Sequence, residues 1–280
     1  MSERPRRVPK SATVVRTEQV ARDLVRVILT GDDIAKLPPL DFTDHYVKLL
    51  FPPAGADYDH PFDADEIREN HPREQWPVTR TYTIRWLDLE AAELALDFVV
   101  HGDEGLAGPW AMRAKAGDQI SFMGPGGAWG PSEAADVHLL VGDESAAPAI
   151  AAAMEELPES STAQVFVEVE DPQAQIPLPE RDNVHVIWAY RATTGASYGE
   201  ALTEAVRNAP WPEGRVHAFV HGNADMIKPL RRYLFVEREL PRDQVSISGY
   251  WRTGHNEDAW QAGKRDFNAQ IEQEEAKLAG

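Results

Sequence analysis

The order of apolar and polar residues changes character once along the chain. Through residues 12–130, short segments favour strands, several with apolar and polar positions alternating: ATVVRTEQV, LVRVILTG, HYVKLLFP, RTYTIRWLDL, LALDFVVHG and QISFMGP. A period of two sends successive side chains to opposite faces, and Gly, Pro or Asp separates many of the segments. This half predicts antiparallel strands in a barrel or sandwich. Residues 52–78 interrupt the series with a Pro- and Asp-rich stretch, in which DADEIREN has the pattern of a short helix. From residue 136 the pattern becomes apolar runs alternating with helical segments. VHLLVG precedes SAAPAIAAAMEEL, QVFVEVE and VHVIWAY precede YGEALTEAVRNA, VHAFVHG precedes ADMIKPLRRYLFVEREL, and QVSISGYW closes the series. Such alternation predicts an open parallel sheet. The expected fold class is two-domain, β plus α/β, with domains at residues 1–132 and 133–280 and the boundary in GPSEAAD. The tail from Asn256 has a charged, helical pattern with Trp260 and Phe267 as anchors.

Composition narrows the function classes. A length of 280 residues is enough for two hydrophobic cores. The net charge of -18 would repel phosphate backbones and anionic lipids, so neither a nucleic-acid partner nor membrane insertion is expected. No apolar run approaches the roughly 18 residues of a membrane span. MSERPRRVPK lacks the apolar core of a signal peptide, so a cytoplasmic location is expected. With no cysteine, the chain offers no disulfide, thiolate zinc site, cysteine nucleophile or cysteine-held iron–sulfur cluster. Electron transfer would therefore require an organic cofactor. No G-x-S-x-G, H-E-x-x-H or Walker loop occurs, and no metal site is expected. His217 and His221 are four apart on a predicted strand, which separates them by about 13 Å.

Three segments carry candidate chemistry. Arg80-Thr-Tyr-Thr-Ile-Arg85 lies on a predicted strand, with Arg80, Tyr82 and Ile84 on one face and Thr81, Thr83 and Arg85 on the other. A flavin needs an aromatic plane, a small polar group near its N5/O4 edge and a cation for its phosphates. Tyr82, Thr83 and Arg80 supply all three; an amphipathic strand with solvated arginines is the other reading. In His101-Gly-Asp-Glu-Gly-Leu-Ala-Gly-Pro-Trp-Ala111, small residues precede a helix start with Pro109 in its first turn, the form of a pyrophosphate site or of an ordinary helix start. Val141-Gly-Asp-Glu-Ser-Ala-Ala-Pro-Ala-Ile150 turns from a strand into an Ala-rich helix, where open sheets bind ligands, although it carries no G-x-G-x-x-G.

In this order the three segments resemble the ferredoxin-reductase-like flavoproteins and, more narrowly, the siderophore-interacting proteins. HYVKLLF, PREQWPVTRTYTIR, HGDEGLAGPWA, FMGPGGAW, VGDESAAPAI and GYWRTGHNE carry the likeness, from about Asp44 to Glu257. The resemblance implies an amino-terminal FAD-binding β-barrel and a carboxy-terminal NAD(P)H-binding-type domain, with a ferric-siderophore cleft between them. It implies flavin contacts from Arg80, Tyr82, Thr83, Ile84 and Arg85. It implies further contacts from His101, Gly102, Gly105, Ala107, Gly108, Trp110 and Ala111, with Gly108 where the family often has Ser. Gly142, Asp143, Glu144 and Ser145 are expected at the nicotinamide donor, and Tyr250 and Trp251 beside the flavin. Thr83 and Ser145 are the candidate catalytic residues; Lys48 and Arg252 are the candidate substrate cations.

Asn223 replaces an acidic residue of the family's Gly-Glu-Ala and is also a good helix N-cap. The acidic run Glu168-Val-Glu-Asp171 favours NADH over NADPH if one of its acids meets a ribose hydroxyl. The implied activity is FAD-dependent reduction of a ferric siderophore by NADH or NADPH, with an external electron carrier as another possible source. A flavin oxidoreductase using a different acceptor and a siderophore-binding flavoprotein without turnover are the alternatives.

Overall fold

The computed structural model describes residues 8–100, 102, 105–195 and 197–278. Two compact units divide the chain, residues 1–20 with 24–128 and residues 21–23 with 129–280.

The first unit is a closed six-stranded barrel. Its strands are β1 (Lys10–Ala21), β2 (Leu24–Thr30), β3 (Tyr46–Phe51), β4 (Val78–Asp88), β5 (Glu93–Val99) and β6 (Gln119–Gly126), in the order β1-β2-β5-β4-β3-β6. Closure by the antiparallel β1–β6 pair removes the exposed edges that an open sheet would leave. Alternation drives the interior: Val47, Leu49 and Phe51 of β3 are buried, whereas Tyr46 and Lys48 face outward. Val27, Leu96, Phe98, Ile120 and Phe122 fill the same core. Helix α1 (Asp32–Ala35) follows β2 and buries Ile34. The stretch between β3 and β4 folds on itself rather than trailing as a loop. Its helix α2 (Ala64–Asn70) is capped by Asp63, which accepts from Asp65 N and Glu66 N, and it buries Ala64 and Ile67. His60 from this stretch lies 2.9 Å from Ser121 Oγ on β6. Helix α3 (Ala107–Arg113) joins β5 to β6.

The second unit is a five-stranded parallel sheet ordered β11-β10-β7-β8-β9. Its strands are β7 (Val137–Asp143), β8 (Thr162–Val169), β9 (Val184–Tyr190), β10 (Val216–Asn223) and β11 (Val245–Trp251). The helices are α4 (Ala147–Glu155), α5 (Arg191–Thr194), α6 (Glu200–Asn208), α7 (Ala224–Arg232) and α8 (Glu257–Leu278). Both faces are covered, so the strands are apolar almost continuously and every residue of β7 is buried. Leu139 and Val141 pack with α6 and α7 on one face; Leu140, Val165 and Val167 pack with α4 on the other. Helix α8 seats Trp260, 2 % exposed, against Gly249, and its buried Glu275 accepts from Arg231 Nε at 2.6 Å.

Candidate functional site

In the barrel, register sets the candidate groups beside one another. Cross-strand pairs share a face of the sheet. Strand β3 opposes β4 with Tyr46 against Thr83, Val47 against Tyr82, Lys48 against Thr81 and Leu49 against Arg80. Lys48, Thr81 and Tyr46 thus form one outward patch, and Thr83, paired with Tyr46, is buried beside it. Arg80 and Tyr82 begin on the inward side. The Tyr82 ring lies 4.1 Å from that of Phe98 between centroids, and Arg80 Nη1 donates to the Thr79 carbonyl at 2.7 Å. Ile84 is buried in the core, its N–H donating to His45 O at 2.7 Å, and the register shifts between Ile84 and Trp86, on either side of Arg85. Tyr82 and Thr83 therefore offer a ring and a hydroxyl at adjacent positions on opposite sides of one strand.

The loop before α3 uses two glycines in the left-handed region, Gly102 at φ 58° and Gly105 at φ 82°. Gly108 has a packing reason: a Cβ there would stand 3.3 Å from the Val99 carbonyl oxygen. Ala107 and Ala111 are buried in the barrel core. Trp110 packs between Phe51 and Phe98 at 5.7 and 5.6 Å. His101 lies outside the described residues. Leu106 at the N-cap carries no side-chain acceptor, so no cap competes for the first N–H groups of α3. A flavin cofactor would meet a hydroxyl at Thr83, a half-buried ring at Tyr82 and, before α3, a loop with glycines in the left-handed region.

The carboxyl edge of the parallel sheet is built differently, because its polar residues bind one another. Asp143, fully buried, accepts from Ser145 N at 2.9 Å and Ser145 Oγ at 2.5 Å through Oδ1, and from Asn223 N and Trp251 Nε1 at 2.8 Å each through Oδ2. One carboxylate thus ties the ends of β7, β10 and β11. Gly142 is required for packing, since a Cβ would lie 2.5 Å from that of Ala146. Glu144 accepts from Arg191 Nη2 at 2.6 Å and Nη1 at 3.1 Å. Burial pushes the Glu144 carboxyl up, and the Arg191 hydrogen bond opposes that shift. Arg191 also lies 4.2 Å from the centre of the Tyr198 ring, and Tyr198 meets Trp251 edge-on at 5.0 Å.

Glu168 changes the expectation drawn from the acidic run. It is fully buried and accepts from Gly199 N and Leu202 N, so it starts α6 rather than facing a ribose. Burial pushes its pKa up, against the Gly199 and Leu202 hydrogen bonds. Asp171 caps the turn at Pro172–Ala174. The preference for NADH thus loses its first acid. Asn223 caps α7 by accepting from Asp225 N at 2.7 Å, the structural role its chemistry suggested. Tyr250 packs near His221 at 5.0 Å. Arg252 pairs with Asp225 at 3.2 Å and lies 5.0 Å from the Phe267 ring centre, so its charge is partly answered. A cavity of about 650 Å³ between α6 and α7, lined by Tyr198, Thr203, Arg207, Asp225 and Thr253 among others, had no signature in the sequence because its walls come from separate elements. Among the described residues, no group of three or more His, Asp or Glu is arranged to hold a metal ion, and no helix is long and apolar enough to cross a membrane.

A closed antiparallel barrel followed by a five-stranded parallel sheet is the architecture of the ferredoxin-reductase-like flavoproteins. Residues 13–129 match the siderophore-interacting FAD-binding domain, and residues 135–254 match the siderophore-interacting protein model. The chain belongs to the siderophore-interacting protein family. It is 42% identical over 266 residues to the uncharacterized protein Rv2895c of Mycobacterium tuberculosis, covering 91% of this chain and 94% of that one. It is 34% identical over 258 residues to the ferric vibriobactin reductase ViuB of Vibrio cholerae, covering 90% and 92%. The siderophore-interacting protein SipS from Aeromonas hydrophila superposes with a TM-score of 0.79 at 29% identity, covering 95% of this chain and all of that one.

Proposed function

We propose that this protein is a cytoplasmic, FAD-dependent ferric-siderophore reductase that draws electrons from NADH or NADPH. The observation that carries the reading is the β3–β4 register, which sets Lys48 opposite Thr81 and Tyr46 opposite Thr83 on one outward face. A cation there attracts an anionic iron chelate toward the strand that bears the flavin-type motif. The ferric vibriobactin reductase named above supports the same substrate class.

Thr83 offers its hydroxyl to the flavin N5/O4 edge, Tyr82 its ring, and Arg80 its charge to phosphate. The glycine loop and the first N–H groups of α3 receive the pyrophosphate. When bound, FAD supplies the conversion of a two-electron hydride input into two one-electron outputs, so one hydride reduces two ferric ions. Ferrous iron is held less tightly by hard oxygen ligands and leaves the chelate. The turn Gly142–Ser145, at the carboxyl edge, is the place for the nicotinamide donor. There Ser145 Oγ is held by Asp143.

The test is a matrix of donors against ferric chelates with a ferrous trap, on protein whose flavin content has been read by absorbance. Turnover of at least one ferric siderophore with NADH or NADPH is expected. Flavin reduction by either donor without iron release from any chelate would overturn the ferric-siderophore reductase reading. Flavin reduction by neither donor would remove the nicotinamide part of the reading.

A further inference from the structure

We infer that Tyr46 is a specificity-determining residue that selects aryl, catecholate-type iron chelates, an inference that rests on the ferric-siderophore reading above. Tyr46 opens β3 with 37 % of its surface exposed, unusual for a large ring in a barrel strand. Its position is set on both sides. On β4 it opposes Thr83, and on β6 it opposes Gly126. A Cβ on Gly126 would stand 2.8 Å from Tyr46 Cζ and 2.9 Å from its Oη. The glycine thus leaves room for the ring to lie against the β6 backbone. The next glycine does the same for the preceding residue: a Cβ on Gly127 would stand 2.8 Å from His45 Nδ1, which lies 3.1 Å from the Gly126 carbonyl oxygen. Gly126 and Gly127 belong to FMGPGGAW, a segment whose chemistry is otherwise unassigned.

The result is a ring seated against the sheet, with surface left open to solvent. Lys48 is two residues along β3 on the same face, and Thr83 is directly across. Side chains two apart on one strand face are about 7 Å from each other, the scale of one aromatic ring and its substituents. A ring surface beside a lysine suits a ligand that is planar, apolar on its faces and anionic at its oxygens, because stacking and charge then act together. Catecholate chelates have that chemistry; aliphatic hydroxamates lack the aryl face. Tyr82 does not serve this purpose, since it packs against Phe98 on the inward side.

The experiment compares wild type with Tyr46→Ala and Tyr46→Phe in the flavin-loaded full chain. The probes are ferric tris(catecholate) and ferric tris(acetohydroxamate). Chelate binding is read by fluorescence quenching and turnover by a ferrous trap. Tyr46→Ala should weaken binding of the catecholate and raise its KM about fivefold, from the loss of one aromatic contact. Tyr46→Phe should stay within about twofold, since the ring supplies the contact. The hydroxamate, FAD affinity and the rate of flavin reduction should be unchanged in both variants. Equal losses for both chelates, equal effects of Ala and Phe, or loss of FAD would each overturn the inference. So would failure of the wild type to bind the catecholate. A wild type that binds the catecholate without reducing it would remove the reductase reading and leave the Tyr46 comparison decided by binding alone.

Discussion

The two units spend their polar residues in opposite ways. On the barrel's outward patch, Lys48 and Thr81 are exposed and Tyr46 shows an open surface, over an interior that is apolar. At the carboxyl edge of the parallel sheet, Asp143 accepts four hydrogen bonds, Glu144 and Glu168 hold Arg191, and Asn223 caps a helix. A buried carboxylate costs several kcal/mol unless it is satisfied, so the second group is committed to architecture before any ligand arrives. Polar side chains thus stay open to solvent in one unit and are committed to folding in the other, and burial is what separates them.

The sharpest way to break this contrast is Asp143→Ala. Four donor groups on three residues, Ser145, Asn223 and Trp251, lose their acceptor, and the parallel-sheet unit should lose at least about 3 kcal/mol. Denaturant unfolding followed by hydrogen exchange within that unit measures the loss. A change below about 1 kcal/mol would show that Asp143 is not the tie between strand ends.

Acid should separate the units next. Burial pushes His138 down to about 4, with the neighbouring His217 charge adding to the shift. Burial pushes His221 down to about 3, and Lys264 acts in the same direction. Burial pushes His60 in the barrel down to about 4, against the opposing charge of Asp59. Each folded value lies below the unfolded one near 6.5, so the unfolded chain takes up the proton first. The stability these neutral histidines provide is full above about pH 6.5 and falls as pH drops toward the folded values, by up to about 1.4 kcal/mol per pH unit for each histidine. Opening free energies from hydrogen exchange, corrected for the intrinsic rate at each pH, should fall more steeply between pH 7 and 5 in the sheet unit than in the barrel. His138→Gln keeps an acceptor for the Ser132 N–H and should flatten the sheet unit's curve.

Arg80→Ala tests the barrel's ligand face. Loss of a charge-assisted contact worth about 1.5–3 kcal/mol should weaken FAD binding tenfold or more, without unfolding the barrel. Flavin titration of a folded variant reads it directly, and unchanged affinity would sink the assignment. The smallest effect distinguishes the two candidate substrate cations. Lys48→Ala should raise KM for an anionic ferric chelate about threefold at low salt, an effect that shrinks as salt is added. Arg252→Ala should do less, because Asp225 already answers that charge. A larger effect at Arg252 would reverse the ranking.

Much of the fold was readable because periodicity reports burial directly. β3 alternates as HYVKLLF predicts, and β7 is apolar throughout because both its faces are covered. The helix in DADEIREN and the Trp260 anchor were readable for the same reason: a capping Asp and an isolated large ring have few other uses. The motif strand was placed correctly, but its neighbours were not visible, since register between β3 and β4 depends on how the barrel closes. That is why the pairing of Tyr46 with Thr83 had no sign in the sequence.

What the chain determined by itself is the identity of its elements and the cofactor-type motif on β4, since both depend on residues within a few positions of one another. Only the tertiary structure decided which acids remain available. Glu168 looked open to a ribose, yet its partners, Gly199 and Leu202, come from more than thirty residues away. Asp143 likewise draws Trp251 across the sheet. A carboxylate's chemistry follows from its charge, but its use follows from which donors the fold brings to it.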